Sequence, residues 1–160
     1  MAIDAIYPSL KNKTVLITGG GSGIGEALTR AFIAQSAKVG FLDYDKAASE
    51  TLAAELDSPD LHFQYCDLRD IDALQVAVKA VSAKLGPIRI LVNNAARDDR
   101  HSLESVTSDY FDERIATNLK HQLFAAQAVA GPMAAAGGGS IINMGSTSWI
   151  IGQGGMPCYT

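Results

Sequence analysis

The stretch Thr18-Gly19-Gly20-Gly21-Ser22-Gly23-Ile24-Gly25 decides the fold of this chain. It follows Thr14-Val15-Leu16-Ile17, a β-branched run that predicts a buried strand, and it precedes residues 26–33, whose apolar side chains recur at helical spacing. Glycine lets the backbone turn tightly and approach a pyrophosphate, and the unpaired amides at a helix N-terminus favour negative charge. The glycine spacing differs from the common G-x-G-x-x-G fingerprint, so a purely structural turn is an open alternative at this point.

Length and composition predict one globular domain over residues 1–160. Of its residues 48% are apolar and 19% charged, which is enough for a buried core. The net charge of −4 without a basic stripe argues against nucleic acid as a partner. Because no apolar run has the length of a membrane span and the N-terminus does not resemble a secretion signal, we expect no membrane contact and a cytoplasmic location.

The cysteines and histidines show no metal-binding pattern. Cys66 and Cys158 lack metal-ligand or redox spacing, so two free thiols in a reducing compartment are expected. His62, His101 and His121 do not share a metal-ligand spacing, and we predict no metal site.

Strand-like and helix-like segments alternate along the chain. The predicted strands cover residues 14–18, 38–42, 62–66, 88–92 and 140–144, and the predicted helices cover 23–35, 46–56, 70–84 and 108–136, the last bent near Gly131-Pro132. This alternation predicts right-handed crossovers and a parallel sheet covered on both faces. In such sheets the ligand binds beyond the carboxyl ends of the strands, where the strand order reverses. Asp43, Asp67, Asn93 and Ser146 each close or follow a predicted strand.

Five motifs, in order and at family spacing, resemble the short-chain dehydrogenase/reductase family. They are Thr18-Gly-x-x-x-Gly-Ile-Gly25, Asp67-Leu68, Asn93-Asn94-Ala95, Asn118, and Ser146 thirteen residues before Tyr159. Ala96 stands where the family usually has glycine. The resemblance implies an α/β, Rossmann-type doubly wound parallel sheet, here with five strands, and an oxidoreductase that acts on CH–OH groups with a nicotinamide cofactor.

Four further stretches resemble bacterial NAD-dependent sugar 1-dehydrogenases of the D-xylose type. They are Ala5-Ile6-Tyr7-Pro8-Ser9-Leu10, Asp98-Asp99-Arg100-His101, Asp112-Glu113-Arg114-Ile115 and Ser148-Trp149. This narrower resemblance implies hydride transfer from an aldose to NAD, giving the aldonolactone. A dehydrogenase for a polyol or a hydroxysteroid is an open alternative, because related enzymes share parts of these stretches.

Asp43 favours NAD over NADP. It lies 18 residues after Gly25, near the distance at which an acidic residue reaches the adenosine ribose. A carboxylate accepts hydrogen bonds from both ribose hydroxyls and repels a 2′-phosphate. The glycine turn carries no Arg or Lys to offset that repulsion. Asp43 as a cap of the following helix is the alternative.

The resemblance places the cofactor against residues of the glycine turn and of three strand ends. The implied set is Gly19, Ser22, Gly23, Ile24, Gly25, Asp43, Asp67, Leu68, Asn93 and Ala95. In the family the residue at Asp67 contacts the adenine, although an aspartate here could equally cap a turn. Asn93 and Asn94 resemble the pair that fixes the loop beside the cofactor.

Ser146 and Tyr159 are the expected catalytic pair. Oxidation of an alcohol needs a base for the hydroxyl proton, and a phenol is a poor base near neutral pH unless positive charge lowers its pKa. The family supplies that charge from the nicotinamide ring and from a lysine that follows the tyrosine. The resemblance also implies that the serine stabilises the substrate oxygen and that Asn118 holds a water in a proton relay; a satisfied structural amide is the alternative for Asn118.

The expected substrate ligands are Asp98, Arg100, His101, Ser148 and Trp149. Carboxylates, Arg and His suit the several hydroxyls of a sugar, and Trp can stack on a sugar face. A solvated loop at 98–101 and a Trp149 that fills core are the alternatives.

The sequence ends at Thr160, before the position of the lysine. Relative to the family we therefore expect a C-terminally truncated chain that lacks the last strands and leaves an unpaired apolar edge at the fifth strand. Weak or absent turnover is expected of this form, and a catalytically impaired nucleotide-binding fragment is the alternative function. The helix from Ser108 resembles the one that pairs subunits in the family, which implies a homo-oligomer when full length.

Overall fold

The computed structural model describes residues 5–160. Its strands are β1 (Thr14–Thr18), β2 (Lys38–Asp43), β3 (Leu61–Tyr65), β4 (Ile88–Asn93) and β5 (Ser140–Asn143), and its helices are α1 (Gly23–Ala34), α2 (Lys46–Leu56), α3 (Ile71–Leu85), α4 (Ser108–Ile115) and α5 (His121–Ala135). Short 3₁₀ turns cover Pro8–Leu10 and Leu103–Ser105. The strands form one parallel sheet in the order β3-β2-β1-β4-β5, which confirms the predicted α/β doubly wound class.

The long helix predicted over residues 108–136 is three segments rather than one. A π-helical turn, Ala116–Lys120, joins α4 to α5. At Gly131-Pro132, where the sequence predicts a bend, α5 continues through Pro132 and ends at Ala135. The π turn instead coincides with Asn118, and such single turns are frequent at functional sites.

Side chains of β1 alternate between two cores. Leu16 packs with α3 and α5 residues such as Leu74 and Val129. Val15 and Ile17 pack on the opposite face with residues such as Leu52 of α2. All three β1 side chains are fully buried, so this strand is the centre of a sheet covered on both faces.

The strand order reverses at β1. The chain proceeds from β1 through β2 to β3 on one side and places β4 and β5 on the other. Thr18 at the end of β1 is in register with Asn93 at the end of β4. The glycine turn after β1 therefore lies beside the Asn93-Asn94 pair, at the position where open α/β sheets bind ligands.

The outermost strand on that second side is β5. Ile141 and Ile142 remain 39% and 43% exposed, as expected for an edge strand. From Met144 to Thr160 the chain forms turns and loops. Over residues 5–160 no helix combines the length and apolar character that crossing a bilayer requires.

Helix α3 lies unusually close to β2 at Gly40. A Cβ atom added to Gly40 would lie 2.2 Å from Val81 Cγ1 and 3.2 Å from Val81 Cγ2. Both residues are buried, so the branched side chain has little room to move. The absence of a side chain at residue 40 thus sets the distance between helix and sheet.

We predict that Gly40→Ala lowers the free energy of unfolding by about 1–3 kcal/mol, because the added methyl group overpacks the core. Denaturant unfolding measures the change. The matched control is Gly131→Ala within α5, where an added Cβ meets no atom within 4 Å; it should be neutral or stabilise the fold by up to about 1 kcal/mol. Equal effects of the two substitutions would contradict the close approach at Gly40.

Candidate active site

A cleft of about 480 Å³ lies at the carboxyl ends of β1, β2 and β4. Its walls include these residues of the predicted site: Gly19, Ser22, Gly23, Ile24, Gly25, Asp43, Asp67, Leu68, Ala95, Asp98 and Tyr159. The volume lies within the range typical of small-molecule sites. The fold thus places most of the proposed cofactor residues on one concave surface.

The glycine turn forms one wall of this cleft. Gly19 and Gly23 have φ values of +67° and +55°, which favour glycine over other residues. A Cβ on Gly25 would lie 1.7 Å from the carbonyl oxygen of Gly19, so the start of α1 packs directly on the turn. Ser22 is the residue before α1, and its side chain accepts no hydrogen bond from the helix. The Ser22 side chain therefore does not occupy the backbone amides of the first turn.

Asp43 holds the glycine turn from behind. Its Oδ2 accepts from the amide of Gly21 at 2.9 Å, and its Oδ1 accepts from the amide of Asp45 at 3.0 Å. The helix cap of α2 is Asp45, which accepts from Ala48 N at 3.0 Å, so the alternative that Asp43 caps this helix is wrong. Each carboxylate oxygen of Asp43 has a further lone pair for a ligand.

The other wall is joined to β1 through Thr18. The Thr18 hydroxyl accepts from the amides of Asn94 and Ala95 at 3.0 and 3.1 Å and lies 3.4 Å from Nε2 of His121. Asn94 Nδ2 in turn donates to the carbonyls of Thr18 and Gly19 at 3.0 and 3.1 Å. Because the Thr18 hydroxyl already accepts two bonds, its own proton is directed to His121.

His121 is fully buried, and burial lowers its pKa to about 4. Its ordinary pKa is near 6.5, so the unfolded chain binds the proton more tightly than the folded one. The stability that the neutral imidazole contributes is therefore complete above about pH 6.5 and is lost as the pH falls toward 4.

We predict that His121→Gln flattens the dependence of stability on pH. From pH 7 to pH 5 the wild-type chain should lose about 2 kcal/mol through this residue, a loss that the variant lacks. Urea unfolding at the two pH values measures it. His62→Gln is the control, since burial lowers the pKa of His62 as well but that side chain is only partly buried; a variant at His121 with the wild-type pH slope would refute the assignment.

Arginines and carboxylates alternate along the rim of the cleft. Arg69 donates to Asp67 Oδ2 at 2.6 Å and to Glu113 Oε1 at 3.3 Å. The bond from Arg69 holds the pKa of Asp67 below its ordinary value. Burial raises the pKa of Glu113, but bonds from Arg114 and Thr117 outweigh it and hold the pKa below the usual range. Asp67 also accepts from the amide of Arg69 at 3.0 Å, so it does close a turn.

Two predicted asparagines make structural bonds. Asn93 is fully buried, does not line the cleft and donates to Gln122 O at 3.2 Å and to Asn143 Oδ1 at 2.8 Å. It therefore supports the strand ends, as expected of a pair that fixes the loop beside the cofactor; a direct contact of Asn93 with the cofactor stays a prediction. Asn118 forms a pair of bonds with the backbone of Arg97, at 2.8 Å to the amide and 2.9 Å to the carbonyl.

Of the predicted catalytic pair, Tyr159 lines the cleft beside Met144 and Gly145. Ser146 lies next along the chain, with its hydroxyl 2.8 Å from that of Ser148. Within residues 5–160 no hydrogen bond joins Ser146 to Tyr159. Ser148 is 2% exposed and donates its amide to Ser146 Oγ at 3.2 Å, so it orients Ser146 rather than facing the cleft.

The remaining predicted substrate residues separate. Asp98 lines the cleft, whereas Arg100 and His101 lie outside it. Arg100 Nη1 donates to the carbonyl of Gly154 at 3.3 Å, and both ring nitrogens of His101 have protein partners. Trp149 is 67% exposed, so the alternative that it fills the core is wrong.

Sequence analysis missed Arg69, Arg97 and Glu113 as wall residues. All three line the cleft, and Arg97 also pairs with Asp99 at 2.6 Å. The clusters 67–69, 97–101 and 113–114 are rich in opposite charges, and that alternation was the available signal. Pairing between distant clusters depends on the tertiary fold.

A family model described as short chain dehydrogenase matches residues 13–160. The chain belongs to this family. The match covers the whole sheet and the cleft, so the fold and the predicted family agree.

Curated relatives include sugar dehydrogenases. A D-xylose 1-dehydrogenase of Caulobacter vibrioides is 50% identical over 157 residues, covering 97% of this chain and 62% of the relative. A probable galactose dehydrogenase of Rhizobium meliloti is 45% identical over 158 residues, covering 96% of this chain and 61% of the relative. This chain thus spans about three fifths of the length of these relatives.

Solved structures share the architecture. A double mutant of a Serratia marcescens short-chain dehydrogenase/reductase superposes with a TM-score of 0.86 at 29% identity, covering 96% of this chain and 63% of that one.

Proposed function

We propose that this protein is an NAD-dependent oxidoreductase that transfers a hydride from a sugar, most simply from the anomeric carbon of an aldose to give the lactone. The observation that carries the proposal is the joint placement of Asp43, the glycine turn and Tyr159 on one cleft. The two sugar dehydrogenases among the relatives support the substrate class.

The glycine turn fits a dinucleotide. A Cβ on Gly25 would collide with the carbonyl of Gly19, so this glycine lets α1 begin directly against the turn. A Cβ on Gly23 would meet no protein atom within 4 Å, which leaves space for a pyrophosphate at the start of α1. Asp43 stands behind this turn with spare acceptor capacity for two ribose hydroxyls. When bound, NAD supplies the hydride acceptor; the residues described here bind and orient it.

The charges around the cleft support NAD over NADP. A 2′-phosphate beside Asp43 needs a nearby cation to offset repulsion between the two negative groups. Arg69 and Arg97, two guanidiniums of the cleft wall, are both paired with carboxylates. Neither is therefore an unpaired cation for that phosphate.

The chain's own residues then account for the proton. In this proposal Tyr159 takes the proton of the substrate hydroxyl, and Ser146 donates a hydrogen bond to the same oxygen. Ser148 fixes the direction of the Ser146 hydroxyl through two contacts. Asn118 holds the Arg97 backbone, which keeps the loop after β4 beside the cleft.

Two other functions remain testable alternatives. A galactitol 2-dehydrogenase and a 7α-hydroxysteroid dehydrogenase are 38% and 30% identical to this chain, so a polyol or hydroxysteroid is the second substrate class. A nucleotide-binding chain with impaired turnover is the third. A cytoplasmic location and assembly into a homo-oligomer also belong to the proposal, the latter supported by the exposed apolar residues Phe111, Leu119 and Leu123 along α4 to α5.

We predict that Asp43→Asn weakens NAD binding about 10-fold, because a neutral amide does not accept hydrogen bonds from both ribose hydroxyls. The ratio of NADP Kd to NAD Kd should fall at least about 10-fold, because the amide does not repel a 2′-phosphate. Fluorescence titration with both dinucleotides measures it. Asp45→Asn is the matched control: it changes the neighbouring carboxylate, which caps α2 and does not line the cleft. If Asp43→Asn leaves the ratio of the Kd values for NADP and NAD unchanged, Asp43 does not select between the two dinucleotides.

The function itself is tested by incubating a full-length version of the protein with NAD and D-xylose, D-galactose, galactitol or a 7α-hydroxysteroid in turn. We expect NADH to form fastest with an aldose. Binding of NAD without turnover of any substrate supports the impaired nucleotide-binding chain. Faster oxidation of galactitol or the steroid replaces the substrate class, and an unchanged melting temperature with saturating NAD overturns the proposal as a whole.

A further inference from the structure

The segment that carries Tyr159 folds into a single turn. The amides of Tyr159 and Thr160 both donate to the carbonyl of Met156 at 3.0 Å. Pro157, which has no amide hydrogen, stands at the first position of the turn. The amide of Cys158 belongs to the first turn and has no acceptor within it, as is general for such positions.

His101 supplies the missing acceptor from the loop after β4. Cys158 N donates to Nε2 of His101 at 3.1 Å, and His101 N donates to the carbonyl of Gly155 at 2.8 Å. One residue thus bonds the segment on both sides of Met156, a buried side chain. We call these two hydrogen bonds the His101 clamp.

The clamp determines the tautomer of His101. A backbone amide can only donate, so Nε2 carries no proton and Nδ1 does. The Nδ1 proton has acceptors in the carbonyl oxygen of Asp99 at 2.7 Å and the hydroxyl of Tyr110 at 3.1 Å. Both ring nitrogens are therefore used within the protein, and neither remains for a substrate hydroxyl.

The residues behind the ring fix its position. The Tyr110 ring meets the imidazole edge to face, with centroids 4.9 Å apart. Arg114 lies over the same tyrosine ring at 5.2 Å and donates to Asp99 Oδ2 at 2.9 Å. Arg114 is itself 3% exposed. The acceptor for Cys158 is consequently attached to α4 through the Tyr110 side chain and through the ion pair of Arg114 with Asp99.

We propose that His101 is a positioning residue for Tyr159: it caps the turn that presents the phenol to the cleft and does not bind the substrate. The role of Tyr159 in this inference rests on the proposed function. The clamp itself rests only on the bonds to Gly155 and Cys158 and can be tested without turnover.

The first test measures the reactivity of the Cys158 thiol, which belongs to the clamped segment. Cys66 is the internal control, because it is 2% exposed and burial raises its pKa to about 11. We expect His101→Phe, which keeps an aromatic ring but removes the acceptor, to raise the rate of Cys158 labelling at least about fivefold. His101→Gln, whose amide oxygen can accept from Cys158, should stay within about twofold of wild type. An unchanged Cys158 rate in His101→Phe, with Cys66 still protected, overturns the clamp.

The second test uses the wild-type protein, so it applies even if His101→Phe fails to fold, which rapid labelling of Cys66 would reveal. Nitrogen-15 NMR of the wild-type imidazole should show the tautomer with the proton on Nδ1. A proton on Nε2 is incompatible with acceptance from Cys158 and overturns the clamp.

The third test separates positioning from substrate binding by steady-state kinetics of the full-length version with the best substrate. His101→Phe should lower kcat at least about 10-fold, leave the KM for substrate and the Kd for NAD within about twofold, and be partly rescued by Gln. A raised KM with unchanged kcat assigns His101 to the substrate and overturns the positioning role. If the wild-type protein binds NAD without turnover, the proposed catalytic function is wrong. The labelling rate of Cys158 and the tautomer of His101 then still test the clamp.

Discussion

The hydroxyl of Thr18 joins the two walls of the cleft. It stands where the strand order reverses, accepts from two successive amides after β4 and contacts a buried imidazole. Beyond the carboxyl ends of β1 and β4, the backbone hydrogen bonds of the sheet no longer hold the two following loops together. The Thr18 hydroxyl and the side-chain amide of Asn94 connect these two loops by hydrogen bonds. Thr18 is buried and Asn94 is half-buried, so these bonds are shielded from water and hold the two walls of the cleft together.

Charge is distributed around the cleft in pairs. Arg69, Arg97 and Arg114 each contact at least one carboxylate, and Glu113 is common to all three. Ion pairs at the surface contribute little to the free energy of unfolding, but they restrain the side chains and neutralise their charges locally. Asp43 is different, because its partners are backbone amides of the glycine turn and the following loop. That difference supports the proposed role of Asp43 in selecting between neutral and phosphorylated ribose.

The predictions for individual residues agree with the structure where a motif is local, whereas the partners of a side chain that can turn either way follow only from the tertiary structure. The strand–turn–helix at residues 14–34 follows from neighbouring residues, and the structure places it as predicted. Asn93 ends β4 and His101 lies in the loop that follows, yet the first bonds residues of α5 and β5 and the second bonds a segment more than fifty residues further along. The π turn at Asn118 was missed as well, because helical periodicity does not distinguish a 3.6-residue turn from a wider one.

The sequence by itself determined the order of the strands and helices, the parallel sheet and the position of the glycine turn, because these depend on hydrophobic periodicity and backbone freedom over short distances. Only the tertiary structure decided which polar groups face the cleft and which satisfy one another. A hydrogen bond depends on distances of a few tenths of an ångström between residues far apart in the chain. A donor that has no partner in its own turn takes the acceptor that the packing brings to it, as the Cys158 amide does with His101.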